Sequence, residues 1–438
     1  MKVLKFGGTS VGSAQRMKEV SNLILDGQKK IVVLSAMSGT TNTLVEISDY
    51  LYKRNTDAAN ETINKLAQKY ADVVDELYEK EQTRTEVTAF LQERFNHIRS
   101  HTKNLFTLFE EKVILAQGEI LSTNMFTHYL LEKGISVVLL PALEFMRVDK
   151  NNEPDTDYIR ENLAKQLAQH PDTDLFITQG FICLNAYGEV DNLQRGGSDY
   201  SASLIGAAVK AEEIQIWTDI DGMHNNDPRI VRKTSPVSHL HFEEAAELAY
   251  FGAKILHPTC ILPAKLANIP VRLLNTMQPE AFGTMISNKT EKGKIKAVAA
   301  KDNITAIKIK SGRMLLAYGF LRKVFEIFES YQTPIDMVCT SEVGVSLSID
   351  NNKHLQDIID ELKKFGTVTV DTEMVIICVV GDLEWENIGF ESAVVSALKD
   401  IPVRMISYGG SNFNISILVK STDKVRAMQA LSDHLFNN

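Results

Sequence analysis

The sequence predicts an α/β protein: a mostly parallel sheet sandwiched by helices, followed by two ferredoxin-like βαββαβ units. Three observations carry this expectation. The chain opens on a short apolar strand, Val3–Phe6, that runs into Gly7-Gly8, a helix-like stretch Ala14–Asp26 and a second apolar run Ile31–Leu34. Strand, helix, strand with glycine-rich joints is the pattern of a parallel sheet. The alternation returns between residues 134 and 290, and beyond it the chain contains an internal repeat.

Taken in order, residues 57–133 read as almost continuous helix. They are rich in Glu, Lys, Gln and Leu, contain no proline and hold a single glycine, Gly118. Leu66, Tyr70, Val73, Val74 and Leu77 fall on one helical face, so this segment is expected as a helical insertion or lid beside the sheet. Val137–Leu140, Leu175–Thr178, Ile214–Thr218 and Val271–Leu274 read as strands, and Ser201–Lys210 and Phe242–Phe251 as helices. The polar run 288–296 marks a boundary. The repeat then sets helix Leu321–Tyr331, Pro334–Val338 and the alternating run Val343–Ile349 against helix Glu391–Leu398, Pro402–Ile406 and Phe413–Val419. A further helix follows each copy, Lys353–Phe365 and Asp423–Leu435.

Bulk properties exclude several classes. The 438 residues exceed one ordinary domain, and 44% apolar with 24% charged residues is a globular composition. A formal net charge of -9 without a basic stripe argues against a nucleic-acid partner. No run of 18 apolar residues occurs, so no membrane partner is expected. Cys183, Cys260, Cys339 and Cys378 are scattered without CxxC spacing, which argues against a disulfide framework or zinc site and favours a reducing, cytoplasmic setting.

The chemistry lies in short glycine-rich motifs. Lys5 precedes Gly7-Gly8-Thr9-Ser10, where missing Cβ atoms admit a ligand to the backbone and a lysine can meet phosphate; a plain turn is the alternative. Arg195-Gly196-Gly197-Ser198-Asp199 opens a helix whose N–H groups favour an anion, with Ser198 or Asp199 as its cap; a tight turn with an N-cap and no ligand is the alternative. Trp217-Thr218-Asp219-Ile220-Asp221-Gly222 ends a strand, where open α/β sheets bind ligands. Asp219 and Asp221 could orient Mg²⁺ or a ribose there, or Asp221-Gly222 could be only a turn. His224 and Asn225–Arg229 follow, His224 reading as a solvated loop residue. Gln117-Gly118-Glu119 interrupts a helical stretch, where a glycine costs about 1 kcal/mol; Glu119 could hold an ammonium or be a surface residue. Phe251-Gly252-Ala253-Lys254 adds a second lysine, and Ser35–Asn42 is a hydroxyl-dense loop after a buried strand. Together these supply cation clamps, carboxylates and Gly-rich loops, the parts of phosphoryl transfer. No GxxxxGK[ST], HRD or DFG motif occurs, which sets aside P-loop NTPases and protein kinases.

Lys5–Ser10, Arg195–Asp199, Trp217–Asp219 and Phe251–Pro258 stand in the order and spacing of the aspartate kinases. The chain resembles that family over essentially its whole length, and its C-terminal pair is similar to ACT domains. It is similar in particular to the lysine-sensitive, monofunctional type. The resemblance implies an amino-acid-kinase catalytic domain over 1–290 with the insertion at about 57–133. It implies a first ACT domain at 311–370 and a second built from 295–310 and 371–438. It implies transfer of the ATP γ-phosphoryl group to the β-carboxylate of L-aspartate. Lys5, Gly8 and Asp199 are implied at the reacting centre. Thr41, Glu119, Phe181, Arg195 and Ser198 are implied around aspartate, and Lys5, Gly7, Gly8, Ser10, Thr218, Asp219, His224, Arg229 and Lys254 around ATP. His224 stands where relatives carry tyrosine. Mg²⁺ is expected with ATP, and no protein metal ligands are assigned. Gly319, Phe320, Leu321, Asp336 and Ser341 are implied for an amino-acid effector, lysine before threonine, although Met314–Tyr318 departs from the family's more polar stretch. A homodimer or dimer of dimers through the ACT domains is expected. The alternatives are a catalytically dead ACT-type sensor, opposed by the presence of Lys5, Arg195 and Asp199, and a kinase for another amino acid, opposed by the repeat.

Overall fold

A computed structural model describes residues 1–103, 105–193, 196–252, 257–311 and 318–436. It divides into two compact units, Met1–Gly222 with Leu256–Asn288, and Met223–Ile255 with Lys289–Asn438. The division cuts the 1–290 segment, because residues 223–255 group with the C-terminal repeat.

The first unit is built on strands β1 (Lys2–Phe6), β2 (Lys30–Leu34), β3 (Val138–Leu140), β4 (Leu175–Gln179), β7 (Ile214–Thr218), β8 (Val271–Asn275) and β9 (Thr284–Ser287), with a side hairpin of β5 (Ile182–Leu184) and β6 (Val190–Asn192). The main order is β3-β4-β2-β1-β7-β8-β9. All pairings are parallel except β8–β9. Every residue of β2 and of β4 is buried, as a sheet covered on both faces requires. The register sets Phe6 against both Leu34 and Trp217, and Leu34 against Gln179. Four strands therefore end in one row.

Helices α1 (Ala14–Ile24), α2 (Thr40–Tyr52), α3 (Thr56–Leu77), α4 (Glu81–Ser100), α5 (Leu108–Glu132), α6 (Thr156–Ala168) and α7 (Gly197–Val209) cover this sheet. The α3 stripe Leu66, Tyr70, Val73, Val74, Leu77 is buried as its spacing predicts. It joins one core with Phe6, Val32 and Leu34, so the 57–133 segment is a fixed layer of the core rather than a lid. The expected interruption at Gly118 is absent, and α5 runs through it. A methyl group at Gly118 would stand 2.8 Å from Ala36 Cβ. The glycine thus lets α5 approach the loop after β2.

The second unit contains α8 (Phe242–Tyr250), whose cap His241 and Glu244 form a reciprocal capping box. Its sheet comprises β10 (Ile295–Lys310), β11 (Met337–Ser341), β12 (Gly344–Ile349), β13 (Thr367–Gly381), β14 (Met405–Ser407) and β15 (Asn414–Lys420), in the order β11-β12-β10-β13-β15-β14. The repeat is visible as two halves that share β10 and β13. The first runs β10, α9 (Phe320–Ser330), β11, β12, α10 (Leu355–Lys363), β13. The second runs β13, α11 (Phe390–Ala397), β14, β15, α12 (Lys424–Phe436) and takes its remaining strand from the start of β10. Strands β10 and β13 pair from Ile295↔Gly381 to Lys310↔Thr367, with the register slipping near Lys301–Ile304. Each half has its own core. Helices α9 and α10 cover one, with Val324, Phe328, Ile358 and Leu362 inside. Helices α11 and α12 cover the other, with Val394, Met428 and Leu431 inside.

Candidate active site

The row of strand ends in the first unit opens into a cleft of about 530 Å³. Lys5, Gly8, Thr41, Glu119, Phe181, Ser198 and Asp199 all line it, with Ser35–Gly39 and Asn42. Residues from five separate stretches of sequence therefore meet because parallel strands place their carboxyl ends together.

Backbone proximity explains the glycines. A methyl group at Gly8 would lie 2.8 Å from the Ala36 carbonyl oxygen. The Gly8 carbonyl accepts from the Ser38 N–H at 3.1 Å, which stitches the 35–42 loop to the end of β1. The Gly7 amide donates to the Trp217 carbonyl at 3.3 Å, so this N–H joins β1 to β7 rather than standing open for an anion. Gly180 and Gly197 let the end of β4 meet the start of α7: added methyls would fall 2.7 Å from Ser198 Cβ and 2.6 Å from Phe181 Cδ2. Phe181 between them has φ +67°. For a bulky residue this costs on the order of 1 kcal/mol or more, and such strain clusters at ligand sites.

Two helix N-termini face the cleft without a side-chain cap. Helix α2 is preceded by Gly39 (φ +79°) and α7 by Gly196 (φ +76°). Neither Ser198 nor Asp199 caps α7: the turn falls at Gly196, and both lie within the helix. Each open end carries about half a positive charge and is suited to an anion. Asp199, in the first turn, instead meets Lys5 Nζ at 2.8 Å, with both side chains largely buried. This pair holds the lysine ammonium at the mouth of α7.

Glu119 is buried, not a surface residue, with 3% of its area exposed. Oε1 accepts from the Ala36 N–H at 3.1 Å, while Oε2 is buried without a partner among the described residues. Desolvation pushes its carboxyl up to about 8, against partial compensation from the Ala36 amide and the Lys5 charge. A buried carboxyl oxygen left without a partner is a costly arrangement that a polar ligand group would relieve.

The expected nucleotide residues scatter more. Thr218 ends β7 in the same strand row and the exposed Asp219 follows it, and the Thr218 hydroxyl donates to Asp219 Oδ1 at 3.1 Å. Ser10 is fully buried and its hydroxyl pairs with that of Thr276 at 2.7 Å, which makes it an internal brace instead of a ligand contact. His224 and Arg229 belong to the second unit. There His224 Nδ1 lies 3.1 Å from the Thr234 hydroxyl, so it is not a freely solvated loop residue. The exposed Arg229 pairs with Asp227 at 2.7 Å. Arg195 and Lys254 lie outside the described residues, as do Met314–Ala317. Sequence reasoning singles out the Ser35–Asn42 loop as a whole, and Thr41 by resemblance, but not Ala36, Ser38 and Gly39 individually. The signal was a glycine just before a helix that follows a buried strand.

In the second unit, Gly319 (φ +82°) starts α9 and Leu321 is partly exposed, but Phe320 is a core side chain at 8% exposure. The Ser341 hydroxyl donates to the Gly344 carbonyl at 3.4 Å. Asp336 is buried. Its Oδ1 receives Lys301 Nζ at 2.7 Å and the Tyr250 hydroxyl at 2.9 Å, and Oδ2 has no partner among the described residues. Desolvation raises its carboxyl, opposed chiefly by Lys301.

The model of the amino acid kinase family matches residues 1–275, and that of an ACT domain matches residues 377–435. The lysine-sensitive aspartokinase 3 of Escherichia coli is 33% identical over 450 residues, covering 99% of each chain. Two solved structures of E. coli aspartokinase III superpose along the whole chain. The complex with aspartate and ADP (R-state) has a TM-score of 0.82 at 31% identity and covers 100% of both chains. The complex with lysine and aspartate (T-state) has a TM-score of 0.81 at 32% identity and covers 100% of this chain and 99% of that one. With a cleft that gathers Lys5, Glu119 and two helix N-termini at the carboxyl edge of a parallel sheet, and an ACT-type repeat beside it in sequence, the chain belongs to the amino acid kinase family, among the aspartate kinases.

Proposed function

We propose that this aspartate kinase transfers the ATP γ-phosphoryl group to the β-carboxylate of L-aspartate through the cleft around Lys5, Glu119 and Asp199. The carrying observation is the buried Oε2 of Glu119, without a partner among the described residues, in the cleft that also holds Lys5 and two uncapped helix ends. A zwitterionic amino acid has the complementary groups: an ammonium for Glu119, carboxylates for the cationic features.

The nucleophile is a carboxylate, ionised at pH 7, so the chain needs no general base. The difficulty is to bring it against a polyanionic phosphate. Lys5, held by Asp199, and the dipoles of α2 and α7 are fixed in advance and can stabilise the charge of the transition state. Thr41, Phe181 and Ser198 line the cleft beside them and would shape the acceptor pocket. Arg195 is assigned to the acceptor α-carboxylate, and Lys254 to the nucleotide, on the family's pattern. Mg²⁺ would enter with ATP, neutralising phosphate charge. An ion that keeps its waters and takes one or two carboxylates is matched by the exposed Asp219 at the end of β7.

Lysine is the proposed feedback effector, with Asp336 as its ammonium partner in the second unit. The lysine-sensitive relative and the lysine complex support this choice. Assembly as a dimer or dimer of dimers through the ACT repeat, and residence in the cytoplasm, complete the reading; four free cysteines support a reducing compartment. The test is ADP release from ATP and Mg²⁺ with L-aspartate, with and without lysine or threonine. Aspartate-dependent turnover suppressed by lysine is expected. Equal use of glutamate, or no ADP release, would overturn the assignment.

A further inference from the structure

The insertion helix α3 reaches the cleft loop with two consecutive side chains. Lys69 Nζ donates to the Ser38 carbonyl at 2.5 Å, and it would stand 3.7 Å from a methyl group built on Gly39. Tyr70, fully buried, shares a hydrogen bond of 3.0 Å between its hydroxyl and that of buried Thr40. Its ring packs edge-on against Phe95 of α4. Ser38, Gly39 and Thr40 are thus pinned from one side, immediately before Thr41.

The two contacts differ in kind. Tyr70 to Thr40 is a neutral, buried clamp. Lys69 places a cation at the N-terminal end of α2, where Gly39 leaves the helix uncapped. A positive charge there works against the helix dipole, so helix stability does not account for it. Local choices that oppose stability concentrate where function requires them. Nor, among the described residues, is the charge paired as that of Lys5 is: Lys5 meets the Asp199 carboxylate, whereas Lys69 meets a neutral carbonyl.

We propose that Lys69 is a positioning residue for phosphoryl transfer, which fixes the Ser38–Gly39 turn and adds net positive potential to the α2 end of the cleft, favouring the approach of anionic donor and acceptor. The inference rests on the aspartate-kinase reading of the cleft. Long-range attraction of this kind is screened by salt, whereas a purely structural clamp is not. Steady-state kinetics of the full chain as wild type, Lys69→Met, Lys69→Arg and Tyr70→Phe, at low salt and in about 1 M KCl, separate the two roles. Lys69→Met is expected to lower kcat/KM for aspartate about tenfold at low salt, with the gap to wild type closing at high salt. Lys69→Arg should stay within about twofold of wild type, since it keeps the charge. A Lys69→Met enzyme that equals wild type at low salt overturns the proposal. So does a loss that persists unchanged at high salt, the behaviour expected of Tyr70→Phe. Absence of turnover in wild type would instead refute the underlying function, so the two failures are distinguishable.

Discussion

The two units treat their buried carboxylates differently. The cleft of the first unit keeps groups open: Glu119 Oε2 has no described partner, two helices begin on uncapped glycines, and Phe181 is held in a strained conformation. The second unit also has helices that begin on uncapped glycines, α9 and α11, and an Asp336 Oδ2 without a described partner; its difference lies in what lines its cavity and what its carboxylate already holds. Its hollow of about 360 Å³ is apolar, lined by Val394, Leu398, Val403, Ile406, Ile415 and Ile417. Its buried carboxylate Asp336 already holds an ammonium and a phenol from the same unit. Open polar groups raise the energy of the empty site and are satisfied when substrate arrives, which favours chemistry. A carboxylate with an internal cation suits exchange with an outside ammonium, which favours regulation.

Three substitutions would break or sharpen that contrast. The largest effect is expected at Lys5. Lys5→Met should reduce kcat on the order of 10³-fold. It should also lower stability, because Asp199 loses its ammonium in a largely buried setting. Lys5→Met combined with Asp199→Asn should recover the melting temperature and not the turnover. Recovery of both would make the pair structural and place the first unit in the same class as the second.

Glu119→Gln should come next, lowering kcat/KM for aspartate about 100-fold. Here pH gives a second readout. The folded carboxyl sits near 8 against an ordinary 4.5, so the folded protein holds this proton more firmly than the unfolded chain. The resulting penalty to stability is absent below about 4.5, grows as pH rises and is complete above about 8. The ligand-free melting temperature of wild type should therefore fall relative to Glu119→Gln across that window. Aspartate binding at pH 7 should release close to one proton, measurable by calorimetry in two buffers, and none in Glu119→Gln. No proton release in wild type would remove Glu119 from the ammonium.

The smallest effect is expected in the second unit. Asp336→Asn should raise the lysine concentration for half-inhibition about tenfold. The shift in inhibition should exceed any shift in kcat. An unchanged response to lysine would move the effector away from the Lys301–Asp336–Tyr250 cluster.

Much of this was readable in advance, for identifiable reasons. Alternating apolar runs and glycine joints specify a parallel sheet, since side-chain periodicity and glycine freedom are local properties. The α3 stripe was readable because burial follows the helical repeat, and the repeat because its two copies carry the same order of elements. Glu119 was not legible as buried. Its setting depends on Gly118 letting α5 approach Ala36, a contact between residues far apart in sequence. Ser10 failed for the converse reason: a hydroxyl beside a glycine pair looks available until Thr276 comes to meet it. Capping of α7 shifted to Gly196 because a left-handed glycine competes with Ser198 for the turn.

By itself the sequence determined the elements, the repeat and the motif set that marks an aspartate kinase, because these rest on local pattern and on order along the chain. Tertiary structure alone decided which groups are open. That Lys5 is held by Asp199, that Glu119 is desolvated with one oxygen unpartnered among the described residues, and that α3 reaches the cleft through Lys69 and Tyr70 follow from strand register and close approach. The opening strand offers a lysine and two glycines. Only the row of strand ends turns them into one wall of a site, because parallel pairing sets Phe6 level with Leu34 and Trp217.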